Sequence, residues 1–166
     1  MHQAHALKTV SLVTVTAAAT LLLIQACGGG ALAQADDNDP IVGVWDDVVT
    51  ARNCATGAVL GTFRAIGIAH KGGTFQGDNA APPTTRGAAF GTWKREGGNN
   101  YSGTLLFMRF GPDLTLVGTT KVVAKRTLSA DGNSYSGTIV RREYALDGTQ
   151  TLEGCGSTEG KRVAWW

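Results

Sequence analysis

From Ile41 to the C-terminus, apolar and polar positions fall into short extended runs broken by turn chemistry, and no amphipathic helix emerges. The runs lie near 41–51, 59–70, 86–95, 101–110, 113–128, 134–146, 149–155 and 160–165. Their connectors are Asn53 to Gly57, Gly97-Gly98-Asn99-Asn100, Gly111-Pro112-Asp113, Asp131-Gly132-Asn133 and Asp147-Gly148. Such residues tolerate the tight backbone of hairpin turns. Short runs joined this way predict an all-β antiparallel meander, and eight of them suffice to close on themselves.

Alternation is clearest in the fifth run. Leu114, Leu116, Gly118, Thr120, Val122 and Ala124 share one face there, while Thr115, Thr119, Lys121 and Lys125 share the other. One face is therefore dry and the other wet. Leu105 to Phe110 is apolar on both faces, which leaves its register open. Glycines recur within the runs, at Gly43, Gly61, Gly67, Gly91, Gly103, Gly118 and Gly137, where they permit the bends of a small barrel. Tyr101-Ser102-Gly103-Thr104 and Tyr135-Ser136-Gly137-Thr138 echo each other at the level of a hairpin. The longest stretch without strand character, Gln76 to Arg86 with Pro82-Pro83, is expected to be a loop and a candidate portal.

The N-terminal 33 residues have a different pattern. His2, His5 and Lys8 precede an uncharged run from Thr9 to Ala26 that peaks at Leu21-Leu22-Leu23-Ile24 and ends in small residues. That order is a secretory signal, and two exits are open. Cleavage before Cys27 would resemble bacterial lipoprotein processing, with Cys27 acylated and tethered to a membrane. Cleavage after Ala31-Leu32-Ala33 would release a soluble chain. Segment 34–40, with Asp36, Asp37, Asp39 and Pro40, is expected to be a solvated acidic linker, and 41–166 the barrel domain.

Export changes the meaning of the cysteines. Cys54 and Cys155 form an even pair in an oxidising compartment, so a disulfide is expected, closing a loop of about 100 residues. Composition adds an exclusion. Of 15 Lys and Arg only Lys8 lies in the signal, which leaves 14 against 13 Asp and Glu. That balance lacks the basic face nucleic acid requires. The body has room for one core and no second domain.

Gly43-Val44-Trp45 in the first run, the eight antiparallel runs and Arg162 in the last resemble the calycin superfamily, in which such an arginine packs on the first-strand tryptophan. Arg52-Asn53-Cys54-Ala55-Thr56-Gly57, Gly72-Gly73-Thr74-Phe75 and Gly91-Thr92-Trp93 further resemble a group of uncharacterised exported bacterial proteins with lipocalin-like barrels. The resemblance implies a single eight-stranded up-and-down β-barrel closed by Gly43, Trp45 and Arg162. It also places Cys54 just after the first strand and Cys155 near the last connection, where a disulfide would staple the seam.

Catalytic chemistry is sparse. After the signal only His70 remains, beside Lys71, and it reads as a rim residue. Asp46 and Asp47 are strand neighbours and point to opposite faces. Arg109 and Arg141, if both face inward on paired strands, would hold the carboxylate of an amphipathic ligand, with salt bridging to Glu143 or Glu153 as the simpler role. Phe75, Phe90, Trp93, Tyr101, Phe107 and Tyr135 complete the candidate lining. These residues predict a non-catalytic, exported barrel that binds a small apolar or amphipathic molecule in the periplasm or at the outer membrane, or is secreted. No catalytic residue, metal or cofactor is expected. A structural or interaction protein of the envelope, with a filled barrel and contacts through its surface or Trp165-Trp166, is the alternative. An enzyme acting by confinement would draw on Arg109, Arg141, Tyr101 and Tyr135.

Overall fold

Each strand of the chain is hydrogen-bonded to the next and the last to the first, closing an eight-stranded antiparallel barrel in the computed structural model, which describes residues 38–164. The signal segment with Cys27, the linker up to Asp37 and the Trp165-Trp166 pair lie outside the described residues. The strands are β1 (Gly43–Arg52), β2 (Val59–Ala69), β3 (Thr74–Asn79), β4 (Ala89–Gly97), β5 (Asn100–Phe110), β6 (Leu116–Leu128), β7 (Ser134–Tyr144) and β8 (Gln150–Arg162). All connections are up and down. Segments 53–58, 80–88, 111–115 and 145–149 meet at one end, here the mouth; 70–73, 98–99 and 129–133 meet at the other, the base.

Two expectations about the elements are corrected. Strand β3 runs into the supposed Gln76–Arg86 loop, where Gly77, Asp78 and Asn79 mimic a turn but pair with Gly67, Ile66 and Ala65. The connecting segment is therefore 80–88. The runs near 149–155 and 160–165 are one continuous strand, β8, which carries Cys155 in its interior rather than near a connection.

The base is filled by aromatic packing. Trp45 is buried, its Nε1–H donates to the Ile41 carbonyl at 2.9 Å, and its ring lies 5.0 Å from that of Tyr135. The Arg162 guanidinium stacks 4.4 Å from the Trp45 ring and donates to the carbonyls of Val42, Gly132 and Pro40. A planar, five-donor cation suits this plug, because it covers an indole face while satisfying carbonyls. Gly43 belongs to the same device: its φ of +143° is unfavourable for other residues, and a Cβ there would collide with the Arg162 guanidinium. Asp39, expected to be solvated, is buried instead, accepting from the Tyr101 hydroxyl at 2.7 Å and from the Ile41 amide at 3.1 Å.

At the seam, β1 and β8 pair from Trp45 with Arg162 to Arg52 with Cys155. A Cys54–Cys155 disulfide lies beside this ladder, with Cα atoms 5.1 Å apart and a sequence separation of 101. First and last strands are neighbours only because the barrel closes, and the disulfide spans that junction.

Candidate binding cavity and its mouth

Alternation along the strands points Asp47, Val49, Gly67, Phe75, Leu105, Phe107, Val122, Arg126, Ile139 and Thr158 inward, where they line an internal cavity of about 100 Å³. The walls are mainly apolar. Gly67 is small because the Phe75 ring occupies the space its side chain would take. Below the cavity the base is solid. Toward the mouth the wall forks, because β3 is only six residues long and β2 pairs with it only from Ala65 to Ala69. Ala65, Ile66, Asp78 and Asn79 at this fork line both the cavity and an outer pocket of about 310 Å³. Val59, Leu60 and Phe63, beyond the fork on β2, are exposed.

The expected lining residues divide into three groups. Phe75 and Phe107 line the cavity. Trp93, Tyr101 and Tyr135 face inward but belong to the filled base, which corrects their expected place in the lining. The Trp93 indole donates to the His70 carbonyl at 2.9 Å, and Trp93 and Tyr101 pack edge to face at 6.0 Å. The Tyr135 hydroxyl donates to Asp47 at 2.5 Å. Burial, reinforced by Asp39, pushes the Tyr101 hydroxyl up to about 12, and Tyr135 is raised further in the same direction. Phe90 is also corrected: it faces outward, 59% exposed, opposite Leu106 on β5. His70 is exposed.

Arg109 and Arg141 both point inward near the mouth, and Glu143 lies between them. Arg109 is 2.9 Å from one Glu143 oxygen, and Arg141 pairs with the other. Burial, and secondarily the neighbouring Arg109, lower the Arg141 pKa. Arg142 points outward to Glu153 at 2.7 Å, and Asp46 pairs outward with Arg64, so both adjacent charged pairs split across the wall. The simpler salt-bridge role is therefore present, though with two cations to one buried carboxylate.

Two inward arginines were not among the expected site residues. Arg86, in the 80–88 segment, has a side chain only 7% exposed, stacks 4.4 Å from the Phe107 ring and lies 3.6 Å from the exposed Asp78. Burial lowers its pKa, with Asp78 acting against that. No periodicity in a proline-rich loop signals such an inward turn. Arg126 stacks on Phe75 at 4.9 Å and Tyr135 at 5.2 Å, near Asp47. It was legible, because extending the dry face of Thr120, Val122 and Ala124 by one step reaches it. Asp47 is raised above the ordinary aspartate range, chiefly by burial, against the lowering effects of the Tyr135 hydrogen bond and Arg126. Among the described residues, no group of three or more His, Cys, Asp or Glu is placed to hold a metal ion.

These features define a closed eight-stranded barrel with a filled base, a small apolar cavity and a cationic mouth. No protein-family model and no curated protein matches the chain. Among solved structures the chain is similar to the crystal structure of Rv2717c from M. tuberculosis, with 13% identity and a TM-score of 0.38 over 76% of this chain and 94% of that one. The barrel assignment rests on this chain's own strand pairing, and the likeness to calycins stays a resemblance.

Proposed function

We propose that this protein is an exported, non-catalytic barrel that binds a small apolar or amphipathic molecule. The observation that carries the reading is the cavity walled by Phe75, Leu105, Phe107, Val122 and Ile139 beneath a half-open mouth. Concave apolar space with a few convergent polar groups is the usual form of a small-molecule site. Its volume limits the occupant: about 100 Å³ is smaller than the roughly 150 Å³ cavity that accepts benzene, so the buried part is a short alkyl chain or little more. Titrating the delipidated full chain with hexan-1-ol, followed by NMR, tests this. Saturable shifts at Leu105, Phe107, Val122 and Ile139 are expected; no saturable shift with hexan-1-ol or hexanoate refutes the reading.

Export is supported by the 1–33 pattern and by a disulfide suited to an oxidising compartment. Localisation to the periplasm or outer membrane follows in the proposal, with Cys27 either acylated as a membrane anchor or discarded with the signal. Mass spectrometry of the protein taken from its native envelope distinguishes a lipidated chain starting at Cys27 from one starting at Gln34. A full-length mass would refute processing.

The alternative, an interaction protein with a filled barrel, is favoured by one observation. Phe90, Leu106 and Met108 form an exposed apolar strip on the outer wall, 51–59% accessible. Envelope partners captured by the native chain but lost in a Phe90→Ser, Leu106→Ser variant, with no probe entering the barrel, would select it.

A further inference from the structure

Positive charge gathers toward the mouth end of the barrel, above the cavity. Arg86 bridges backbone to backbone with Arg109, whose neighbour across the cavity mouth is Glu143, itself shared with Arg141. Two guanidinium groups thus share one buried carboxylate, and the third, on Arg86, has among the described residues only Asp78, 81% exposed, as its acidic partner. The Arg86 and Arg109 side chains are largely withdrawn from water, 7% and 23% exposed, whereas Arg141 is half-exposed; cation held out of water is costly unless an anion accompanies it.

Hydrogen bonding points the same way. Thr120 is fully buried, and in register it stands between Phe107 on β5 and Glu143 on β7. Its hydroxyl has no partner, and neither does the buried Nε of Arg109; the third such atom among the described residues, Arg126 Nε, lies deeper, in the cavity wall. Buried polar groups are almost always satisfied, so two unsatisfied donors beside surplus positive charge mark a place suited to an acceptor.

We propose that the mouth is an anion site, in which Arg86, Arg109, Arg141 and the Thr120 hydroxyl receive the carboxylate head of a short amphipathic acid whose tail enters the cavity. This rests on the binding function proposed above and names its ligand class. Glu143 is the resident counter-ion that positions Arg109 and Arg141 before the ligand arrives. Arg126 is not part of the site, because it lies deeper, stacked between Phe75 and Tyr135 and facing Asp47.

The test compares hexanoate with hexan-1-ol, which share a tail and differ in the head, by NMR titration of the full chain. Hexanoate is expected to bind about tenfold more tightly, the scale of one charge-assisted hydrogen-bonded contact. Arg141→Gln should erase most of that preference, lowering hexanoate affinity far more than hexan-1-ol affinity. Thr120→Val, close in shape and retaining the fold, should weaken hexanoate severalfold and hexan-1-ol less. Glu143→Gln should strengthen hexanoate severalfold by removing a repelling charge. Equal binding of the two probes to the native chain, or a preference that survives both Arg141→Gln and Thr120→Val, overturns the anion site while the binding function stands. If neither probe binds, the binding function fails and the anion site with it. The native comparison and Thr120→Val decide the matter even if Glu143→Gln does not fold.

Discussion

At Thr120, stability and binding are expected to oppose each other. A buried hydroxyl without a partner carries its desolvation cost uncompensated, and an apolar replacement of the same shape relieves it. Thr120→Val should therefore raise unfolding stability by about 1 kcal/mol, read from the urea midpoint by tryptophan fluorescence. A loss of stability would mean that the hydroxyl is satisfied in solution. Asp47 makes a different case, through pH. Its folded pKa lies above the aspartate value of 3.8, so the native state holds the proton more tightly than the unfolded chain. Its contribution is then fully present below that unfolded value and is lost as pH rises through the folded one. Asp47→Asn cannot titrate but keeps an oxygen for the Tyr135 hydroxyl. The stability of Asp47→Asn relative to the native chain should accordingly increase as pH rises from about 3 toward neutrality, in urea denaturation across that range. A relative decrease would show that Arg126, rather than burial, governs this carboxyl. Surface carboxylates such as Asp131, which is lowered by its bonds to Ser129 and Asn133, act in the opposite sense in both proteins and drop out of the comparison.

Among the elements, legibility tracked how far side chains obey a simple wet and dry alternation. Strand β6 could be read directly, because Thr119, Lys121 and Lys125 mark its outer face and Val122 and Ala124 its inner one. Strand β3 could not, since Gln76, Asp78 and two small residues carry no apolar period and its Gly-Asp-Asn ending is turn chemistry. Nor could the middle of β8: Gly156 and Gly160 lie close against Ile139 and Tyr135 of β7, and the Tyr135 ring occupies the space a side chain at Gly160 would need. A strand that yields room to its neighbours has little hydrophobic signal of its own. The site was legible for Arg109 and Arg141, which sit on strands, and hidden for Arg86, which does not. Close approach also makes a glycine prediction. A Cβ at Gly91 would fall within the Thr104 carbonyl on β5, a collision with backbone that only strand separation relieves. Gly91→Ala should cost about 2–4 kcal/mol, measured by urea unfolding, and should accelerate hydrogen exchange in β4 and β5 before other strands. An effect under about 0.5 kcal/mol would contradict the tight β4–β5 spacing.

For the whole molecule, the decisive constraint is closure, because β1 and β8 are joined by pairing between residues more than a hundred positions apart. Every other adjacent pair in the barrel is connected by a short segment, so its partners stay near each other even when unfolded. The seam has no such help except the Cys54–Cys155 bond, which shortens the path between its strands in the unfolded chain. The chain-entropy treatment gives about 4.7 kcal/mol for a loop of about 100 residues, and residual unfolded structure reduces the measured value. Cys54→Ser, Cys155→Ser should thus lose about 2–4 kcal/mol, seen as a lower urea midpoint. The loss should be uneven in space. The base remains held by Arg162 on Trp45 and by the carbonyls that Arg162 satisfies, whereas the upper end of β1 loses its covalent tie one residue pair from the Arg141–Gly154 contact. Hydrogen exchange should therefore rise first at Ala51, Arg52 and Gly154 to Gly156, and only at higher denaturant around Trp45 and Arg162. Because Arg141 stands on β7 next to that frayed edge, hexanoate affinity should fall in the serine variant while the base still reports a folded barrel. A uniform loss of protection, base and mouth together, would instead show that the barrel closes and opens as one cooperative unit, with the disulfide acting only on the unfolded chain.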